Sequence, residues 1–208
     1  MDTIYRAVKY IRTSCQDSVN DNIDSLRLEG IDKTIAILKI IFSERYSHDV
    51  SMKTRSALDT KRRKGEYVGA VPIYGYQKLE NDKNKLIPDP NTVAVIQSIF
   101  DMKLQGMSAA GISAALNEQE ILSPLAYKQT NNTPYAAGGF ADKPNAKWSA
   151  TTIFRILRDE NYTGTLVQGR QSSFNYKIKT PIHLEESVWA KVKNAHPAII
   201  SRSDYEAV

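Results

Sequence analysis

Tyr10, Arg12 and Ser14 stand on alternate residues at the end of a segment, Ile4 to Ile11, rich in β-forming side chains. Alternate residues of a strand project to one side, so a guanidinium and a hydroxyl would share a face. A serine hydroxyl beside a cation suits attack on a phosphodiester. The cation stabilises the charge that builds on the nonbridging oxygens and helps activate the hydroxyl. The same triplet also fits a polar exit from a strand into a loop over Ser14 to Asn22, and so short a motif leaves both readings open.

A second set of residues has base-edge reach. Ser149 is placed to cap a helix whose inner face carries Ile153, Ile156 and Leu157, leaving Thr151, Thr152, Arg155 and Arg158 outside. Arginine can donate two hydrogen bonds to a guanine edge, and threonine can touch a thymine methyl. Lys147 precedes the helix, Arg170 falls at the tip of an expected strand turn, and Lys128 and Lys143 lie in the preceding loop; such cations can hold phosphates while a helix reads bases. An amphipathic helix with solvated arginines has the same pattern. A third set, Lys61-Arg62-Arg63-Lys64, closes an expected helix and feeds Gly65 to Tyr76, which includes Tyr74 and Tyr76. A rod ending in positive charge and continued by an extended arm can meet a phosphate backbone and enter a groove. Cations also favour helix C-termini simply because they oppose the macrodipole.

Composition narrows the classes. The 208 residues suffice for one large or two small domains, and a formal charge of +5 only weakly favours a polyanionic partner. The single cysteine, Cys15, excludes an internal disulfide and a cysteine-based zinc ribbon. His48, His183 and His196 are isolated and read as surface or cap residues, and Asp17, Asp21 and Asp24 match no metal-loop spacing. Neither a Walker loop nor a dinucleotide fingerprint occurs, so no cofactor and no metal are expected. No apolar run approaches the ~18–20 residues that span a bilayer, and Met1-Asp2-Thr3 does not begin a signal peptide. The expectation is a soluble cytoplasmic protein that does not engage membranes.

These residues must be positioned by a chain that is mainly helical. The spacing of Ile31, Ile35, Leu38 and Phe42 starts a helix that runs to Lys64 and becomes polar from Ser47 onward. A helix that loses its apolar face halfway must leave its domain or lie on a partner. Gly65 stops it. Short strands are expected at 74–78 and 85–87 around an Asn81–Asn84 turn. A helix capped by Asp89, with Pro90 first, carries Val93, Ile96, Phe100 and Leu104 inward, with Ile99 beside them. Another, capped by Ser108, carries Ile112 and Leu116. The proline- and glycine-containing stretch 123–147 reads as a long loop. After the Ser149 helix, strands 164–168 and 175–179 form a hairpin, and a last helix covers Glu185 to Asn194 with Val188, Trp189 and Val192 inward. The order resembles a winged helix-turn-helix, in an α+β fold led by a long helix and carrying a small β-hairpin.

Taken together, the chain resembles the large serine recombinases, the integrase and transposon-resolvase group. Over residues 45–200 the resemblance rests on Arg55-Ser56-Ala57-Leu58, Gly65-Glu66-Tyr67-Val68-Gly69, Pro72-Ile73-Tyr74-Gly75-Tyr76, Leu86 to Pro90, Ile99-Phe100, Gly106-Met107-Ser108 and Leu116-Asn117. It continues through Trp148-Ser149-Ala150-Thr151-Thr152-Ile153, Ile156-Leu157 and Tyr162-Thr163-Gly164. These look like the family's DNA-binding recombinase domain and the long helix before it. Tyr10-x-Arg12-x-Ser14 is similar to the start of its catalytic domain. By that resemblance Ser14 would form the phosphoserine link to DNA and Arg12 would hold the scissile phosphate.

The family's further catalytic arginines find no match between Ser14 and Arg45, and Val19 to Leu26 looks like its last catalytic strand. The expectation is therefore a catalytic remnant over 1–42, shorter than the ~100–150 residues of a common domain, a linker helix over 43–66, the recombinase domain over 67–200 and a tail over 201–208. The expected function is sequence-specific binding of double-stranded DNA at an attachment or transposon-end site of a mobile element. Strand-exchange chemistry is expected to be incomplete, and a homodimer through helix 31–64 is expected. The alternative is a winged-helix regulator without recombination chemistry.

Overall fold

The computed structural model describes residues 31–130, 146–173 and 180–208, with only the backbone of 31–33. Tyr10, Arg12, Ser14, Lys143 and the expected strand 175–179 lie outside the described residues. The described chain is α+β and mainly helical, with six α-helices and three antiparallel strand pairs among these residues. Contacts divide the chain into residues 1–55 and 56–208, and the boundary falls inside the first helix. No described helix is long and apolar enough to cross a membrane.

Helix α1 runs over Ile31–Arg63. Its polar half bonds to itself: the hydroxyls of Ser47, Thr54 and Thr60 donate to the carbonyls of Ser43, Val50 and Ser56. Its apolar stripe is exposed, with Leu38 at 48% and Phe42 at 69%. Gly65 ends the helix as expected. At φ +78 it makes a Schellman cap, in which the Gly65 amide donates to Arg62 O (3.0 Å) and the Glu66 amide to Lys61 O (3.0 Å).

In the unit of residues 56–208, strands β1 (Tyr76–Lys78) and β2 (Leu86–Pro88) pair with Tyr76 opposite Pro88. Helix α2 covers Val93–Leu104. Asp89 caps the turn before it, accepting the Asn91 amide on its carboxylate and the Thr92 and Val93 amides on its carbonyl; the helix itself starts three residues after Pro90. Leu104, expected inside, is exposed. Helix α3 covers Ala109–Glu118, and its Gly111 amide donates to the Ser108 cap as expected. Helix α4, Pro124–Thr130, occupies the start of the stretch expected to be a loop. Ser123 caps it and Pro124 takes the first position, where no amide is needed. Helix α5 covers Ala150–Leu157, a 3-10 turn covers Glu160–Thr163, and helix α6 covers Arg202–Ala207.

Helices α2, α3 and α5 touch one another around Ile96, Ile99, Phe100, Ile112, Leu116, Ile153, Ile156 and Leu157. Tyr162 plugs this core, almost parallel to Tyr76 at 6.1 Å and edge-on to Phe100 at 6.3 Å, and its hydroxyl donates to Tyr74 O (2.9 Å).

The C-terminal half corrects two expectations. Strand β3 (Leu166–Gln168) pairs with β6 (Ala190–Val192), while β4 (Gln171–Ser173) pairs with β5 (Pro181–His183). The expected last helix is instead a 3-10 turn, Glu186–Val188, followed by β6. Val188, Trp189 and Val192 have helical spacing, but they are strong β-formers, and the edge of β3 needs a ladder partner. Val188 points to solvent at 64% exposure, and the Trp189 ring donates its N–H to Leu184 O.

Candidate nucleic-acid interface

Helix α5 is held at both ends. Before it, Asn117 at the end of α3 grips the backbone of Trp148 twice: its Oδ1 accepts the Trp148 amide (2.8 Å) and its Nδ2 donates to the Trp148 carbonyl (3.1 Å). The buried Trp148 indole donates to Ile121 O (2.9 Å). The Ser149 hydroxyl then accepts the Thr152 amide and contacts the Thr152 hydroxyl at 3.0 Å. Ser149 and Thr152 are thus occupied as a cap. At the other end the Tyr205 hydroxyl donates to the carbonyl of Arg158. With Ile153, Ile156 and Leu157 buried, the helix is fixed in rotation, and Thr151, Phe154, Arg155 and Arg158 form one exposed face at helical spacing. Lys147 is exposed one turn before Thr151.

The acids nearest this face are turned elsewhere. Asp159 pairs with Arg170 at 2.8 Å and accepts from the Asn161 side chain at 2.6 Å. Glu160 pairs with Arg202 at 2.7 Å and lies 3.8 Å from Lys191. Arg155 and Lys147 have no acidic partner among the described residues, so their charge is uncompensated locally.

Arg170, expected at a wing tip, is a structural pin. Besides its pair with Asp159 it lies 5.4 Å from the Trp189 ring centre, and its Nε is buried. The basic end of α1 is divided. Arg63 pairs with Asp59 at 2.8 Å and Lys61 lies 4.0 Å from Glu66, while Lys64 is exposed. Arg62 runs inward, with its Cδ 3.9 Å from the Cβ that Gly169 would carry and its Nε buried. Exposed pairs such as Arg63–Asp59 contribute little to stability and exchange readily for a phosphate.

The segment after α1 is not a free arm. The Gln168 side chain accepts the Val68 amide (2.9 Å) and donates to Glu66 O (2.8 Å). The Lys78 ammonium donates to Gly69 O (2.6 Å) and Ala70 O (3.0 Å). Tyr74 and Tyr76 are core residues at 8% and 2% exposure; burial pushes both hydroxyls above the usual tyrosine range, and they donate to Leu122 O and Pro197 O. Neither can reach a ligand. Of the three histidines, His196 is also inside, donating from Nε2 to Asn161 O at 2.7 Å, where burial lowers its pKa.

The family model described as Recombinase matches residues 90–208, more than half of the chain and all of helices α2, α3 and α5. The chain belongs to the recombinase family, whose work is site-specific DNA recombination. No curated protein matches the sequence closely enough to be counted a relative.

Sequence reasoning found the cap, the inner face and the arginines of α5. It missed Phe154, whose signal was a large apolar residue off the apolar stripe. It also missed the clamp by Asn117, whose partner is 31 residues away.

Proposed function

We propose that residues 56–208 bind double-stranded DNA sequence-specifically in site-specific recombination. Helix α5 lies in the major groove, α2, α3 and α5 act as a helix-turn-helix, and the β3–β6 and β4–β5 pairs serve as the wing. The observation that carries this reading is the outer face of α5. Thr151, Arg155 and Arg158 are exposed together on a helix fixed in rotation, while Asp159 and Glu160 pair with other cations. In this reading Arg155 and Arg158 contact base edges, and Lys147 and Lys64 contact phosphates, with Lys61 and Arg63 exchanging their acids for phosphates.

Selection of bound sequences from random duplex DNA, followed by gel shifts at two salt concentrations, tests it. Affinity should fall steeply with salt. Arg155→Ala should cost about 1–3 kcal/mol and relax preference at one position, whereas Lys64→Gln should weaken all sequences alike. Binding with no preference among duplexes would overturn the proposal.

The reading extends to the chain's other two segments. Ser14 is proposed as the family's nucleophile with Arg12 and Tyr10 beside it, in a constellation too sparse in arginines to complete strand exchange alone. Incubation with the selected duplex should give no covalent adduct, and an adduct lost in Ser14→Ala would refute inactivity. The exposed apolar stripe of α1 is proposed to pair two copies, so analytical ultracentrifugation should show a dimer that deletion of residues 1–42 dissociates. Specific binding by a monomer that forms no adduct would favour a winged-helix regulator.

A further inference from the structure

Phe154 is the anomaly of helix α5. Ile153, Ile156 and Leu157 are buried, yet Phe154 is 49% exposed between Thr151 and Arg155. It is not an orphan of poor packing, because three neighbouring side chains already fill the inner face and its own position lies on the flank of the helix, outside that face. The Arg158 guanidinium lies 5.9 Å from the ring centre. That contact fixes the ring against the helix and leaves the rest of it open, at the edge of the face that carries the hydrogen-bond donors.

We infer that Phe154 is a specificity-determining residue that reads the 5-methyl group of a thymine. The inference rests on the α5 reading above. A phenyl ring makes no conventional hydrogen bond, only weak contacts to its face, so it gains little from the polar groups of a guanine, cytosine or adenine edge. The thymine methyl is the one apolar feature that a base pair presents in the major groove. Phe154 precedes Arg155 by one residue and Arg158 by one turn, so the thymine should neighbour the position that Arg155 reads. Arg158 then has two partners, the ring below it and the DNA in front, and the ring holds it at the height of the groove.

The test uses the full chain and the best duplex recovered from a random pool. Each thymine is replaced in turn by deoxyuridine, which removes the methyl group and keeps the hydrogen-bond edges. For the wild-type chain one replacement should weaken binding about fourfold, the worth of one buried methyl. Phe154→Ala should bind the thymine and deoxyuridine duplexes equally, and Phe154→Leu should recover part of the difference. Both replacements are at an exposed position, so unchanged thermal unfolding shows that each variant folds. Arg155→Ala should lose preference at its own base pair and keep the sensitivity to deoxyuridine. The inference is overturned if Phe154→Ala retains full methyl sensitivity, or if no thymine matters to the wild type, while sequence-specific binding persists. Loss of sequence preference in the wild type would instead overturn the α5 reading, and this inference with it.

Discussion

Ile35, Leu38 and Phe42 on α1 recur three and four residues apart, and on α2 Ile99 and Phe100 lie three and four residues after Ile96. The first set is 41–69% exposed; the second is exposed by 1% or less. Both patterns specify a helix and an apolar face. Among the described residues, only the α2 face has a surface to press against, formed by α3, α5 and Tyr162. Periodicity therefore sets which side of a helix is apolar, and burial depends on a second surface that the helix does not encode.

The comparison can be attacked first where it predicts most. Tyr162→Ala removes a buried aromatic that touches Tyr76 and Phe100, and should cost about 3–5 kcal/mol in urea unfolding of the tyrosine-rich core. A smaller loss would mean that the core is looser than its contacts imply. Gly65→Ala should cost about 1–2 kcal/mol, because an L-residue at φ +78 is strained, and the added Cβ would lie 3.0 Å from Val192 Cγ1. Backbone amide hydrogen exchange should show the loss of protection confined to residues 56–208.

A pH series sharpens the contrast further. Burial lowers the His196 pKa, and with Nε2 donating to Asn161 O, the buried Nδ1 is the nitrogen that would have to take a proton. A depressed folded pKa means that the unfolded chain binds the proton first. The neutral ring's stabilisation is full above the unfolded value of 6.5 and is lost as pH falls through the folded value. The urea midpoint should therefore drop between pH 7 and pH 5, and His196→Gln should flatten that dependence. The smallest effect belongs to the helix: Phe42→Ser should change unfolding by no more than about 0.5 kcal/mol, because the ring is 69% exposed and nothing among the described residues covers it. A larger loss would show that the stripe is covered in solution, and its dependence on protein concentration would identify a second copy.

Much of this was legible in the sequence where the signal is local. Ser108, Ser149 and Gly65 sit at their helix ends because capping is decided within four residues. The inner faces of α3 and α5 follow from spacing alone. Misreadings cluster where a distant partner decides. Tyr74 and Tyr76 lie in a segment rich in glycine and proline, which reads as an arm, yet Trp148, Tyr162 and the Pro197 carbonyl bury them. Trp189 and Val192 have helical spacing, but β3 recruits the segment as a strand. Arg170 looked free because its partner Asp159 lies across a turn and its ring contact is 19 residues away.

The cap at Gly65 also determines where this molecule can be cut. Lys61 and Arg62 supply the carbonyls that close it, and Gln168 ties Glu66 and Val68 to β3. A fragment that starts at residue 67 would keep the tyrosine core but lose both carbonyls and one of the two tethers. A fragment that starts at residue 56 keeps every one of them. The smallest autonomous piece should accordingly carry two turns of α1, and a protease that trims the helix from its amino end should stall there.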